Sequence, residues 1–205
     1  MELKAAIEQR YSVRKFKPSD VPVDTLKELV NRAGLAPSVN NAQPWKFWVV
    51  TNKETINEMA SIVHKKVQDE FAETDKENVL KTVDYFSTVF EHAPAVLLVG
   101  MKPYKAIADD LKTEQADHER VNKMRHYPDI QSIGAAVEHV LLSAVDLGLG
   151  GCWLSGLMVA QSELEDLLHI EAPWELVTAI AIGTPDEDGQ QRPKKPVDEI
   201  FELVD

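Results

Sequence analysis

The run Ala95–Gly100, "AVLLVG", opened by Pro94, does most to limit what this chain can become. Side chains of a strand point alternately to two faces. Here neither face carries a polar group, so the strand is too apolar to be exposed on either side. A helix read over residues 130–148 makes a similar demand, with Ile133, Ala136, Val137, Val140, Leu141, Ala144 and Val145 spread nearly all round it. Such a helix belongs in a core or between subunits.

The remaining elements fall around these two. Residues 2–10 and 23–34 read as helices, the second with Val23, Leu26, Leu29, Val30 and Ala33 at helical spacing. Residues 53–71 and 76–91 read as amphipathic helices, the first placing Ile56, Met59, Ala60, Val63 and Val67 on one face. "KFWVV" (46–50) is expected as a buried strand, and "GGCWLSGL" (150–157) and "WELVTAIAIG" (174–183) as two more, with a helix over 161–168 between them. Helices and strands mix without a regular βαβ repeat, which points to α+β. The 205 residues suit a single domain. Residues 102–128 are strongly polar and read either as a solvated excursion or as a cap over a site. The tail from Arg192 to Asp205 is too short to form its own core and must pack on something else.

Charge and cysteine usage narrow the function. A formal net charge of -12 argues against nucleic acid and anionic membrane surfaces as partners. The longest apolar stretch is broken by Glu138, His139 and Asp146, so no membrane span is expected. The single cysteine, Cys152, excludes an internal disulfide framework and suits a reducing, cytoplasmic setting. The chain start has no apolar signal segment. Cys152 is expected as a small buried residue rather than a redox thiol. No HExxH pair, GxSxG elbow or Walker loop occurs. "GLGGCWLSG" has nucleotide-like glycine spacing, but it follows a helix and has Trp153 at the last glycine position, so it is not a Rossmann turn.

Two basic clusters remain in this acidic protein: Arg10, Arg14, Lys15 and Lys17 around Ser12, and Arg192, Lys194 and Lys195 near the end. They are either solvated surface charge or an anion site, since arginine forks suit phosphate oxygens. Between them lies "APSVNNAQPWKF" (36–47), whose polar groups crowd ahead of a Trp at the mouth of a strand.

"RYSVRKF", "APSVNNAQPWKF", "LGLGGCWLSGL" and "IAIGTP…RPKKPVDEI" occur in the order and spacing of the FMN-dependent nitroreductase family, which the chain resembles from about residue 5 to about residue 201. The resemblance implies a three-layer α+β fold: a central mixed, mainly antiparallel sheet flanked by helices. It also implies a C-terminal extension packed on a partner subunit, and a homodimer holding FMN in two shared interface clefts. Members reduce FMN with NADH or NADPH and pass electrons, ping-pong, to nitroaromatics, quinones or other oxidised organic acceptors. On this resemblance Arg10, Tyr11 and Ser12 meet the FMN phosphate and ribityl chain. Arg14 lies beside flavin N1 and O2, where a cation favours the reduced state. Pro37, Ser38 and Asn41 reach the flavin of the opposite subunit, with Gln43 and Trp45 fixing their loop. Trp153, Leu154, Ser155 and Gly156 pass the flavin edge, with a backbone N–H near Ser155 directed at the hydride-accepting N5 and Gly156 allowing close approach. Gln131 and Ser132 fall where the central helix touches the cofactor, and Lys194 and Lys195, with Arg192 as alternate, resemble the C-terminal phosphate anchors. Ser155 stands where some members carry an acid, and residues 102–128 carry no recognised motif. Reductive dehalogenation, flavin breakdown, or FMN storage without turnover are the alternatives.

Overall fold

The computed structural model describes residues 1–111, 113, 117–189 and 191–204. Four strands form one antiparallel sheet in the order β1 (Trp45–Val50), β2 (Ala95–Met101), β4 (Glu175–Gly183), β3 (Gly150–Leu154). β2 and β4 are the inner pair, and all seven residues of β2 are buried. Alternation along β2 splits its side chains between two cores. Val96 and Leu98 join Ile56, Met59, Val63 and Val67 of α3 (Lys53–Glu70), with Leu164 of α7 (Gln161–Leu167). Ala95, Leu97 and Val99 join Leu26 and Leu29 of α2 (Val23–Ala33) and Ile133, Val137 and Val140 of α6 (Pro128–Asp146). The result is three layers, helix–sheet–helix, as the apolar strand demands. A parallel bridge from Ser12 to Gly151 adds the parallel contact of a mixed sheet.

The five apolar residues expected on one face of α3 are all buried, and Asn52 caps that helix by accepting from the Thr55 N–H at 2.8 Å. In α2, Leu26, Leu29 and Ala33 are buried whereas Val23, in the first turn, is exposed. α4 (Glu77–Thr88) ends earlier than its pattern suggests and passes into a single tight turn, Val89–His92. His64 of α3 bridges to it, its two ring nitrogens 2.8 Å from Asp84 Oδ1 and 3.4 Å from Glu91 Oε2.

Two strand expectations need correction. β1 is not a buried strand: it lies at the sheet edge, Lys46 and Val49 are exposed, and only Val50 is buried. β3 stops at Leu154, because Ser155 leaves the extended region (φ -110°, ψ -20°) and a helical turn, Gly156–Ala160, begins. The tail lies exposed on this chain, including Val197, Ile200, Phe201 and Leu203. No helix among the described residues is long and apolar enough to cross a membrane.

Candidate functional site

The segment after α1 (Leu3–Gln9) runs extended beside β3, with the Val13 N–H donating to the Gly151 carbonyl at 3.1 Å. Val13 and Phe16 are buried in the core, while Arg10, Ser12 and Arg14 are only partly covered. Residues 184–189 and Gln191 close over this segment. Lys17 N–H donates to the Thr184 carbonyl at 2.8 Å, and Asp186 N–H to that of Lys15 at 3.0 Å. Glu187 Oε1 accepts the Arg14 N–H at 2.7 Å and the Lys15 N–H at 3.4 Å. The Tyr11 hydroxyl donates to the Glu187 carbonyl at 3.1 Å, and Gln191 Nε2 donates to the carbonyls of Ile7 and Arg10 at 2.7 and 2.8 Å. A Cβ on Gly189 would overlap the Tyr11 ring, so only glycine lets that loop lie flat on it. The two basic clusters, 180 residues apart in sequence at Arg14 and Lys194, thus share one wall.

That wall encloses a 170 Å³ cavity lined by Arg10, Tyr11, Ser12, Arg14, Gln191, Arg192 and Lys194, with four cations and no carboxylate. A second, 380 Å³ cavity also includes Arg14, together with Val83, Phe86 and Ser87 of α4 and residues 152–156. The two therefore meet at Arg14: one end suits a phosphate, the other a broad and partly apolar group. Arg14 Nε is buried and has no hydrogen-bond partner among the described residues. Its Nη1 donates to the Ser12 carbonyl at only 3.3 Å, and the guanidinium carbon lies 5.6 Å from the Phe86 ring centroid. A buried donor left unpaired costs about 1–3 kcal/mol, so its presence in a cavity wall marks a place for an acceptor.

The second wall is held from behind. Trp153 Nε1 donates to Thr178 Oγ1 at 2.7 Å, and that hydroxyl donates to the Leu154 carbonyl at 2.7 Å, which fixes the end of β3. Trp153 is 46% exposed and also lines an adjoining 460 Å³ hollow with Ile130, Ile133 and Val177. A Cβ on Gly156 would lie 2.7 Å from Ser87 Oγ, so glycine is needed there for the turn to pack on α4. Cys152 is buried at 3% exposure in this wall, and burial pushes its thiol pKa up, against the opposing charge of Arg14.

Other expected site residues lie apart from Arg14 in this chain. Asn40, Asn41 and Gln43 adopt left-handed φ of 49°, 54° and 45°, which folds the loop tightly. Ser38 Oγ accepts the Gln43 N–H at 3.0 Å, and Gln43 Nε2 reaches Asn41 Oδ1 at 3.3 Å. Ser132 is buried, donating to the Pro128 carbonyl at 2.6 Å and accepting the Val39 N–H at 3.0 Å, so it ties this loop to α6. Gln131 Nε2 donates to the His126 carbonyl at 2.9 Å. Pro37 and Lys195 are exposed. None of these residues lines either Arg14 cavity.

The expected cap, 102–128, falls partly on residues 112 and 114–116, which lie outside the described residues. Its described part has buried anchors that its composition hides. Tyr104 donates to Asn122 Oδ1 at 3.1 Å, and Asn122 Nδ2 donates to Asp129 Oδ2 at 2.9 Å, with all three residues buried. They adjoin a 420 Å³ hollow between α5 (His118–Met124), α6 and the ends of β2 and β4. Sequence reasoning missed Glu187, Gln191, Phe86 and Ser87. Glu187 and Gln191 sit in a polar loop without pattern, and Phe86 and Ser87 on a helix read only as amphipathic.

Comparison with known proteins places these features in a wider set. The model of the nitroreductase family matches residues 7–184. A solved BluB-like flavoprotein from Clostridium difficile 630 is 32% identical with a TM-score of 0.89, each chain covered in full. A nitroreductase with bound FMN from Bacteroides fragilis NCTC 9343 has the same fold, at 18% identity, TM-score 0.74 and full coverage of both chains. An iodotyrosine deiodinase of Nematostella vectensis is 23% identical over 209 aligned residues, covering 98% of this chain and 75% of the other.

Proposed function

The chain belongs to the nitroreductase family, and from that premise we propose that it is an FMN-dependent NAD(P)H oxidoreductase. The observation that carries the reading is Arg14: a cation with a buried, unpartnered Nε at the junction of a four-cation cavity and a broader one. A ligand with a phosphate at one end and a flat, hydrogen-bonding head at the other satisfies both, and FMN has that form. Arg10, Arg192 and Lys194 would hold its phosphate, with Ser12 adding a hydroxyl donor. The ligand would supply the acceptor that Arg14 Nε lacks, and Arg14 a positive charge where reduction adds negative charge.

When bound, FMN supplies the two-electron chemistry, taking hydride from NADH or NADPH and giving it to an oxidised organic acceptor in alternating half-reactions. The protein's part is to bind, orient and exclude water. Val83, Phe86 and Leu154 give the broad cavity apolar surface. The Trp153–Thr178–Leu154 relay holds the end of β3, next to Ser155 and Gly156 in that wall. Among the described residues no carboxylic acid or histidine lines either Arg14 cavity, and the reading takes solvent as the source of protons. Pro37, Ser38 and Asn41 fit this reading as residues that complete a second subunit's cleft. The exposed apolar tail then packs on that subunit.

The test is direct. The purified protein should be yellow and release FMN, not FAD, on denaturation, and NADH or NADPH should bleach it under anaerobic conditions. A nitroaromatic should restore the colour with turnover. A colourless protein that takes up no FMN refutes the reading, and bleaching without turnover on any acceptor makes it a flavin-storing protein. The full-length likeness to a BluB-like flavoprotein and the deiodinase relative favour a second reading, the same scaffold with a specialised acceptor. Iodinated phenols and quinones in the acceptor series, with flavin recovery after aeration, separate these cases.

A further inference from the structure

By charge alone, a carboxylate beside a cavity built from four cations opposes the binding of an anion there. Glu187 stands in that place, yet its Oε1 is spent on two successive backbone donors, the N–H groups of Arg14 and Lys15. The Glu187 carbonyl is held in turn by the Tyr11 hydroxyl, and two residues further on Gly189 lies against the Tyr11 ring. The carboxylate therefore grips the one stretch of backbone from which the Arg14 side chain departs. Among the described residues nothing else fixes that side chain firmly: Nε has no partner, Nη1 makes one long bond, and Phe86 lies 5.6 Å away.

We propose that Glu187 is a positioning residue: its carboxylate, bridging the Arg14 and Lys15 N–H groups, sets the direction of the Arg14 guanidinium and so completes the anion site. The inference rests on the reading of the cleft as an FMN site, but its geometry is testable without flavin. Three proteins decide it: wild type, Glu187→Gln, whose amide oxygen can accept the same two bonds, and Glu187→Ala, which cannot. Hydrogen exchange at the Arg14 and Lys15 amides of the apo-proteins should speed up about tenfold or more in Glu187→Ala and stay near wild type in Glu187→Gln, as loss of a hydrogen bond to a charged group implies. Flavin fluorescence titration should show the FMN Kd raised about tenfold in Glu187→Ala and restored in Glu187→Gln. Both variants lack the charge, so a lower flavin midpoint potential in Glu187→Ala than in Glu187→Gln reports the position of Arg14 and nothing else. Unchanged exchange at both amides in Glu187→Ala overturns the proposal, as does a Glu187→Gln protein as impaired as the Ala variant. A wild type that takes up no FMN refutes the functional reading instead, and the exchange result still decides the role of Glu187.

Discussion

Replacing Arg14 by Met should act with opposite sign on the empty and the loaded protein. Met keeps an unbranched stem against Phe86 but removes the guanidinium. In the apo-protein, Arg14 Nε is a buried donor without an acceptor, a condition that costs about 1–3 kcal/mol. Against this, the variant loses the contact with Phe86, about 0.5–1 kcal/mol at a partly exposed site, and the 3.3 Å bond to the Ser12 carbonyl, about 0.5–1 kcal/mol. These terms span about -1 to +2 kcal/mol with a midpoint near +0.5, so apo Tm should stay near wild type or rise, and fall by no more than ~4 °C for a chain of this size. In the loaded protein the same substitution removes a charge-assisted contact of about 1.5–3 kcal/mol, which weakens FMN binding about 10- to 150-fold. Calorimetry on the apo-protein and flavin fluorescence titration read the two effects separately. A fall in apo Tm of more than ~4 °C would show that the structure already satisfies the guanidinium. An unchanged FMN Kd would remove Arg14 from the site.

Three further outcomes follow from other parts of the molecule. Asn122→Ala strands the Tyr104 hydroxyl and Asp129 Oδ2 in a buried setting; Tm should fall by at least ~4 °C, from a loss of about 2 kcal/mol, with FMN still bound and acceptor KM altered. For His64, burial works to lower the pKa, but the hydrogen bonds from Asp84 and Glu91, together with their charges, outweigh it and raise the pKa. A His whose folded pKa is raised contributes stability in full below its unfolded value of about 6.5 and loses it as pH rises through the folded value. Wild type should therefore lose up to ~1 kcal/mol more than His64→Asn on going from pH 6 to pH 8.5, and parallel pH profiles would remove the clamp. Finally, mixing an Arg10→Ala, Arg14→Ala chain with an Asn41→Ala chain should restore activity to about a quarter of wild type at statistical exchange, since half the dimers are mixed and each has one intact cleft. Mixtures no better than their parents would show that the clefts are not shared.

What the sequence disclosed followed from how local each signal is. The stripe on α3 and the uniformly apolar β2 announce their burial, because period and composition are written within a few residues. β1 misled for the same reason: Phe47, Trp48 and Val50 look like a core strand, and only the sheet order reveals an edge. The glycine at 156 ended β3 early by packing on Ser87, a contact with a helix some 70 residues earlier. Arg14 was legible through a family motif. Glu187 was not, since one acid in "TPDEDGQ" looks like any other until the chain ends meet. Tyr104 and Asn122 were hidden likewise, as isolated buried residues in a segment whose average is polar.

The sheet order has a consequence for how the chain comes off the ribosome. β4, the last of the four described strands in chain order, lies between β2 and β3, so neither can complete its pairing until residues 175–183 have emerged. Until then the growing chain holds β2, every residue of it destined for the interior, with one hydrogen-bonding edge unfilled. Only the β1–β2 hairpin-like pair can form early, and its partners are some 50 residues apart. Long-range pairing of this kind is slow and leaves sticky edges exposed in the meantime. A chain halted before residue 175 should therefore be insoluble or chaperone-bound, and emergence of residues 175–183 is the step that seals the sheet.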